Sequence, residues 1–215
     1  MAEVRPPRLY VLAGTNGAGK SSIGGAAIRQ RGADYFNPDE AARRILAANP
    51  GTTQTDANSA AWHEGRRLLE HAMASGSDFA FETTLGGRTI ADLLERALRA
   101  GLEVRLWYVG LTSADLHIAR VRARVARGGH DIADDRIRER YDRSRLNLIR
   151  LLPTLTELRL YDNSRNADPH TGRLPQPQLV LHMVRGKVAR ICALRHAPEW
   201  TKPILAAALR VTGVR

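Results

Sequence analysis

Several residue types are scarce in this chain of 215 residues, and each scarcity excludes a class of protein. Cys192 is the only cysteine, which excludes an internal disulfide framework and a cysteine-based zinc cluster, and we expect its thiol to be buried and inert. The seven histidines show neither HExxH nor His/Cys pair spacing, so we predict no structural zinc. The longest apolar stretches, such as residues 104–111, are too short to cross a bilayer. No apolar signal core follows Met1, so we expect a cytoplasmic protein without a membrane partner.

Acidic residues and lysine are also few. The chain has 33 Lys plus Arg against 22 Asp plus Glu, a net charge of +11. This charge attracts polyanions such as nucleic acid, an acidic membrane surface or nucleotide phosphates, without selecting one of them. Only Lys20, Lys187 and Lys202 are lysines. In a chain that otherwise uses arginine, the lysine at position 20 indicates a need for a compact point charge on a flexible stem.

Residues 14–21, GTNGAGKS, satisfy the pattern G-x-x-x-x-G-K-[ST] between a predicted strand over 8–13 and a predicted helix that begins near Lys20. Glycines in such a loop let backbone N–H groups point at phosphate oxygens, and the helix N-terminus adds positive potential. A chance glycine-rich turn and a degenerate, non-hydrolysing copy are the alternatives. The motif predicts ATP and Mg²⁺ as cofactors, with the Ser21 hydroxyl as metal ligand. The predicted phosphate-binding residues are Gly14, Thr15, Asn16, Gly17, Ala18, Gly19, Lys20, Ser21 and Ser22.

Strands alternate with helices along the rest of the chain. The further predicted strands lie at 33–37, 79–85, 103–111 and 156–164. We therefore predict one α/β domain over residues 1–215, a three-layer sandwich with a mostly parallel sheet of five or six strands. An arginine-rich helical lid is expected over about 115–150. A C-terminal extension over about 165–215 contains a predicted hairpin around Arg185-Gly186 and a final helix.

Polar residues follow the predicted strands at their carboxyl ends, where open parallel sheets bind ligands. Asp39 could be a base that takes the proton of an acceptor hydroxyl, or an ordinary acid of a helix's first turn. We favour the base, and we prefer Asp39 to Asp34. Glu82 follows an apolar segment, where an unpaired carboxylate is costly, so it needs a ligand, a metal-water shell or another partner. Of Thr83 and Thr84, we expect one to be a strand former and the other to contact the acceptor.

The densest basic region predicts two arginine faces that could converge across a glycine hinge at 128–129. These faces are formed by Arg120, Arg124 and Arg127 and by Arg136, Arg140 and Arg143. They could bind a nucleic-acid backbone, close over a nucleotide as a lid, or form a solvated face with acidic partners. We expect a few to be functional and most to be solvating. Tyr141 is the only aromatic residue there, which weakens the case for single-stranded nucleic acid. His130 could contact phosphate, but we favour a polar turn residue.

Four sequence blocks together resemble the zeta toxin family of P-loop kinases, in particular its stand-alone members. The blocks are AGTNGAGKSS, FNPDEAAR, FETTLGGRT and RVARGGHDI, the last followed by RIRERYDRS and NL. The resemblance runs from about Tyr10 to Ser164 and implies a P-loop kinase-like fold. It implies an ATP-dependent kinase that phosphorylates a sugar hydroxyl of a UDP-activated amino sugar, typically UDP-N-acetylglucosamine. A separate antitoxin would be a further protein partner.

The resemblance also implies roles for individual residues. The implied catalytic residues are Lys20, Asp39, Arg124, Arg127 and Arg140. The implied acceptor-binding residues are Asp39, Glu82, Thr84 and Arg88. Asp39 matches the family's general base, and the three arginines would belong to the lid. The better-studied family members carry an arginine two residues after the threonine of an E-x-T element, where this chain has Gly86; Arg88 lies slightly beyond.

Two other functions stay open at this point. The net charge of +11 is compatible with a nucleic-acid-associated P-loop ATPase or a polynucleotide end kinase. Against these, the third and fourth predicted strands do not end in the apolar-then-Asp pattern with which motor ATPases hold Mg²⁺. A kinase of another nucleotide or nucleoside is the second alternative, because acceptor specificity depends on pocket shape rather than on motif spacing.

Overall fold

The computed structural model describes residues 5–20, 35–165 and 176–213. The strands are β1 (Arg8–Ala13), β2 (Tyr35–Phe36), β3 (Phe79–Thr83), β4 (Glu103–Gly110), β5 (Glu157–Asp162), β6 (Gln178–Val184) and β7 (Lys187–Ile191). The helices are α1 (Pro38–Ala48), α2 (Gln54–Ser75), α3 (Arg88–Arg99), α4 (Ala114–Val125), α5 (Asp134–Leu151) and α6 (Lys202–Val211), with 3₁₀ turns at Leu194–His196 and Glu199–Thr201. The predicted ligands Ser21 and Ser22, and the less favoured base Asp34, lie outside the described residues.

All the described strands form one sheet in the order β2-β3-β1-β4-β5-β6-β7. The pairs from β2 to β5 are parallel, whereas β5-β6 and β6-β7 are antiparallel. The predicted α/β class and mostly parallel sheet are confirmed. The predicted number of strands was wrong: the described chain has seven rather than five or six, because both strands of the hairpin around Arg185-Gly186 extend the sheet beyond β5.

Apolar residues bury both faces of the central strands, as expected for a parallel sheet covered on both sides. In β1, Leu9 and Val11 belong to the main core cluster, and Leu12 belongs to a second cluster with Trp107 and Val109 of β4. Alternate side chains of a strand point to opposite faces, so one short strand contributes to both clusters. This burial fixes where β1 ends, and therefore where the glycine-rich loop begins.

The predicted lid region consists of α4, α5 and the connection between them. Leu148 and Leu151, near the end of α5, are completely buried in the main core. Ile137, near its start, packs with Ile118 and Val121 of α4 in a small separate cluster. The second half of α5 is thus a core helix, and its first half supports α4. Movement of this region as a lid stays a prediction.

The C-terminal residues cover the sheet with α6, whose Ile204 and Leu205 are buried in the main core. Cys192 was expected to be buried but is only partly buried, because it directly follows β7 at the edge of the sheet. Partial burial raises the pKa of its thiol. Within the described ranges, no helix has the length and apolar character that crossing a membrane requires.

Candidate active site

The glycine-rich loop begins directly after β1, where the neighbouring strands β3 and β4 lie close to it on either side. The Gly14 N–H donates to the carbonyl of Thr83 in β3 over 3.2 Å. On the other side, a Cβ at Gly14 would lie 2.1 Å from the carbonyl oxygen of Val109, and the residue has a φ of 142°. Only glycine fits this conformation and this space. The start of the loop is therefore fixed by the sheet itself.

Three side chains hold the backbone of the loop, one from the loop itself and two from distant positions. Lys20 Nζ donates to the Gly14 carbonyl over 2.8 Å, and Asn163 Nδ2 donates to the Ala18 carbonyl over 2.9 Å. His117 Nδ1 lies 2.8 Å from the Asn16 carbonyl, which can only accept, so this nitrogen carries the proton. Burial lowers the pKa of His117 to about 4. The imidazole is therefore a neutral donor at physiological pH.

Side chains of both signs of charge lie near the ammonium group of Lys20. Burial lowers the pKa of its ammonium, and the guanidinium groups of Arg124 and Arg140 lower it further, while the carboxylates of Glu82 and Asp39 raise it. Burial is the largest of these effects, so the pKa is lowered overall. The structure thus brings four other predicted site residues close enough to act on one ammonium group.

Asp39 lies in the first turn of α1, but another residue caps that helix. The Asn37 side chain accepts hydrogen bonds from the backbone N–H of Asp39 over 2.9 Å and of Glu40 over 3.2 Å. The Asp39 carboxylate is half exposed and lines a cavity that Lys20 and Glu82 also line. Its ion pair with Arg124 is 3.7 Å long. Because Asn37 serves as the N-cap, the Asp39 carboxylate is not needed for capping, which weakens the structural alternative.

The buried carboxylate of Glu82 forms a hydrogen bond with another side chain of the protein. Only 7% of the residue is exposed, and the Tyr35 hydroxyl of the neighbouring strand donates a hydrogen bond to Glu82 Oε1. Tyr35 was not among the predicted site residues. Thr83 and Thr84 both line the cavity, where the Thr83 hydroxyl accepts from the Leu85 N–H and the Thr84 hydroxyl from the Gly86 N–H.

The predicted arginines have different surroundings. Arg140 lines the cavity and donates from Nη1 to Asn16 Oδ1 over 2.8 Å, and burial lowers the pKa of its guanidinium. Arg124 contacts Asp39 and donates from Nη2 to the His130 carbonyl over 3.2 Å. Arg127 and Arg88 are exposed and lie outside the cavity lining.

Most other arginines of α4 and α5 form a solvated face with acidic partners, which was one of the three possibilities predicted for this region. Arg122 pairs with Asp134, Arg138 with Asp115, and Arg143 with Glu139. Exposed pairs of this kind contribute little to stability. Arg136, which was considered but not assigned, is an exception because it lines the cavity.

The cavity has a volume of about 630 Å³, within the range of small-molecule sites. Its lining includes residues that the sequence analysis did not assign. They are Thr55, Asn58, Ser59, Trp62 and Arg66 of α2 and His130, Asp131, Ile132 and Ala133 before α5. The α2 residues recur at helical spacing, a signal that was available in the sequence. His130, interpreted as a turn residue, also lies on the wall.

Gly86 lies beneath Arg140, and this contact explains why the position cannot carry a longer side chain in this conformation. A Cβ at Gly86 would lie 2.8 Å from Arg140 Cγ and 3.1 Å from Arg140 Cβ. An arginine at position 86 would therefore displace Arg140. The glycine at position 86, where the family pattern has arginine, leaves the space that Arg140 occupies.

The described residues contain no group of three or more His, Cys, Asp or Glu side chains that could hold a metal ion. A site of that kind would not be needed for a metal held by a hydroxyl and phosphate oxygens. The predicted ligand Ser21 is in the part of the chain that is not described.

The family model for zeta toxin matches residues 1–168. An uncharacterised protein of Haemophilus influenzae is 33% identical over 132 residues, which cover 60% of this chain and 88% of that protein.

Solved structures also resemble the chain. A chain of the AvrRxo1-ORF1:AvrRxo1-ORF2 complex, crystallised with sulphate ions and with ATP, gives a TM-score of 0.65 at 16% identity and covers 95% of this chain. This chain spans only 64% of that one. A structure from the PezAT chromosomal toxin-antitoxin system of Streptococcus pneumoniae gives a TM-score of 0.51 at 15% identity, covering 77% of this chain and 72% of that chain. At these identities the likeness concerns the fold.

Proposed function

Because this chain belongs to the zeta toxin family, we propose that it is an ATP-dependent kinase that transfers the γ-phosphate to a sugar hydroxyl of a UDP-amino sugar such as UDP-N-acetylglucosamine. One observation carries the proposal. The phosphate loop, through Lys20, and the carboxylates of Asp39 and Glu82 line the same cavity. A phosphate donor and a hydroxyl acceptor could therefore meet there with a base beside them.

The residues of the loop fit ATP. Gly14, Gly17 and Gly19 all have positive φ, a backbone conformation that lets successive N–H groups converge on an anion. Lys20 brings a point charge to the same place. Ser21, and Glu82 through water, would hold Mg²⁺, which would supply positive charge beside the transferred phosphate. An AvrRxo1 complex that shares the fold was crystallised with ATP, which supports this choice of nucleotide.

The proposed reaction is an in-line displacement. The acceptor hydroxyl oxygen forms a bond to the γ-phosphorus, and the bond from that phosphorus to the oxygen bridging to the β-phosphate breaks with its electron pair, which releases ADP. The Asp39 carboxylate accepts the hydroxyl proton. Lys20 and Arg140 stabilise the charge on the phosphoryl oxygens, because both are held in place before the reaction.

We further propose that a separate antitoxin binds the protein. This proposal follows from the family and from similarity to a structure of the PezAT toxin-antitoxin system. A partner that covers the cavity would block both substrates at once. Co-expression of the chain with genes adjacent to its own, followed by purification through a tag on the kinase, tests whether such a partner copurifies.

The acceptor is tested by incubating the protein with ATP and Mg²⁺ and a panel of UDP-sugars, nucleosides and nucleic-acid ends, and identifying products by mass spectrometry. We expect a phosphorylated UDP-amino sugar that is absent with Asp39→Asn. Phosphate on a nucleoside or on a nucleic-acid end alone would retain the kinase chemistry and reject the proposed acceptor.

A further inference from the structure

One side of helix α5 carries polar side chains next to buried core residues. Arg140, Ser144 and Asn147 follow one another at spacings of four and three residues, so they lie on one side of the helix. The same side carries the buried core residues Leu148 and Leu151. Polar side chains on a core-facing stripe are costly unless each finds a partner. Ser144 and Asn147 both donate to backbone carbonyls of one short loop, residues 84–87.

Ser144 is completely buried. Its hydroxyl donates to the Thr84 carbonyl over 2.7 Å, so its oxygen is left to accept from the Tyr108 hydroxyl, 2.9 Å away. Burial raises the pKa of Tyr108 to about 12, which keeps this phenol protonated and able to donate. A chain of two hydrogen bonds therefore connects the centre of the sheet, through Ser144, to the carbonyl of an acceptor-side residue.

Asn147 uses both protons of one amide on the same loop. Its Nδ2 donates to the Leu85 carbonyl over 2.8 Å and to the Gly87 carbonyl over 3.1 Å. Leu85 has a φ of 54°, a left-handed conformation that a leucine rarely adopts. The loop is thus held in a conformation that its own sequence does not favour, and the surroundings must maintain it.

The loop that these residues hold forms part of the cavity. Thr84 and Gly87 line it, and the preceding turn of α5 reaches the phosphate loop through the bond from Arg140 to Asn16. One helix face therefore contacts both the donor side and the acceptor side of the site. A rigid helix between two loops sets the distance between the groups that those loops bind.

We propose that Ser144 and Asn147 are positioning residues, which hold loop 84–87 so that the acceptor lies in line with the transferred phosphate. This proposal rests on the proposed kinase function. Neither side chain touches the reacting atoms; each acts through the backbone of Thr84, Leu85 or Gly87. Their loss should therefore affect acceptor use and leave the phosphate loop intact.

The test compares Ser144→Ala and Asn147→Ala with Thr201→Val. Thr201 is also completely buried and its hydroxyl donates to the Pro198 carbonyl over 2.7 Å, but it lies outside the cavity lining. The control therefore loses the same kind of bond at another place. For each variant, kcat and KM for UDP-N-acetylglucosamine, the Kd for ATP without acceptor, and the melting temperature are measured.

We expect both site variants to lower kcat/KM for the acceptor by about tenfold or more, with the Kd for ATP unchanged within about twofold. Thr201→Val should leave kcat/KM for the acceptor and the Kd for ATP unchanged, even if it lowers the melting temperature as much as the site variants do. The contrary result is that all three variants lose activity equally and only in proportion to the fraction of unfolded protein. That result would mean that Ser144 and Asn147 serve stability alone, and it would overturn the proposal.

A second readout separates this proposal from the proposed function. Hydrogen exchange of the backbone amides at 84–88 should accelerate in Asn147→Ala, while exchange at 14–20 stays as in the wild type. If the wild type phosphorylates no UDP-sugar, the proposed acceptor fails, and the variants are then compared on whichever acceptor the panel identifies. Unchanged exchange at 84–88 would overturn the positioning role irrespective of the acceptor.

Discussion

Arg140 donates a hydrogen bond from Nη1 to Oδ1 of Asn16 over 2.8 Å, although 124 positions separate the two residues. The Thr15 hydroxyl makes a second, longer contact of 3.4 Å with the Arg140 carbonyl. The main chain and the side chain of one arginine are therefore both attached to the phosphate loop. Of the three arginines predicted for the lid, Arg140 is bonded to the phosphate loop, whereas Arg124 contacts Asp39 and Arg127 is exposed.

Arg140→Ala should lower kcat by about a hundredfold, because a fixed guanidinium stabilises charge that develops on the transferred phosphate. Arg127→Ala is the matched control, since Arg127 is exposed and outside the cavity lining, and it should stay within about twofold of the wild type. Steady-state kinetics with the identified acceptor measures both. Equal effects of the two substitutions would contradict the distinction drawn between them.

Asp39→Asn should lower the rate of phosphate transfer by about a hundredfold or more, because the amide cannot accept the hydroxyl proton. The Kd for ATP, measured by calorimetry, should change little. Glu40→Gln, one position later in the same helix turn, is the control and should retain activity. If Asp39→Asn lost nucleotide binding as severely as transfer in a folded protein, Asp39 would not be the base.

Lys20→Met should lose ATP binding and transfer together, since methionine keeps the length of the chain without the charge. It also removes the bond of 2.8 Å to the Gly14 carbonyl. Lys202→Met removes an exposed lysine that pairs with Glu199 and should behave as the wild type. A Lys20→Met protein with normal transfer would refute the interpretation of the loop as a phosphate site.

His117 should make stability depend on pH. Its pKa is lowered from 6.5 to about 4 in the folded protein, so the unfolded chain takes up a proton first as the pH falls. The stability contributed by the neutral imidazole is present above pH 6.5 and is lost between pH 6.5 and 4, by about 3 kcal/mol. Urea unfolding of the wild type and of His117→Gln at several pH values measures the difference.

The comparison needs a second histidine as a control. His63 belongs to the exposed side of α2, and His63→Gln should keep the dependence of the wild type. Parallel curves for the wild type and His117→Gln between pH 6.5 and 4 would show that His117 is not protonated differently in the folded and unfolded chain.

Local signals predicted the parts of the site that lie close together in sequence. The glycine-rich loop could be located because strand, glycines and Lys20 occur within 13 residues, 8–20. Asp39 could be placed at a strand end for the same reason. The number of strands could not be predicted, because whether a hairpin joins a sheet depends on the free edge of β5, which no local pattern describes.

Partners from distant segments could not be predicted. The bond from Tyr35 to Glu82 depends on the parallel register that pairs Tyr35 with Ala80, and register follows from the packing of whole strands. The α2 wall is a different case. Trp62 and Arg66 lie one turn apart on the helix and line the cavity, but the sequence analysis considered only the apolar positions of that helix.

Trp200 packs its ring where a side chain on Gly110 would stand, 2.4 Å from the nearest ring carbon, and its Nε1 donates to Asp162 Oδ1 over 2.8 Å. Both contacts are with the ends of central strands, yet Trp200 lies beyond residue 168, where the family match stops. The segment that the family model matches therefore leaves out residues, such as Trp200 and Ile204, that pack in the main core. A chain cut after the matched residues would lose β6, β7 and α6 and would expose the apolar core residues that they cover, so we expect it to aggregate rather than to yield a minimal kinase.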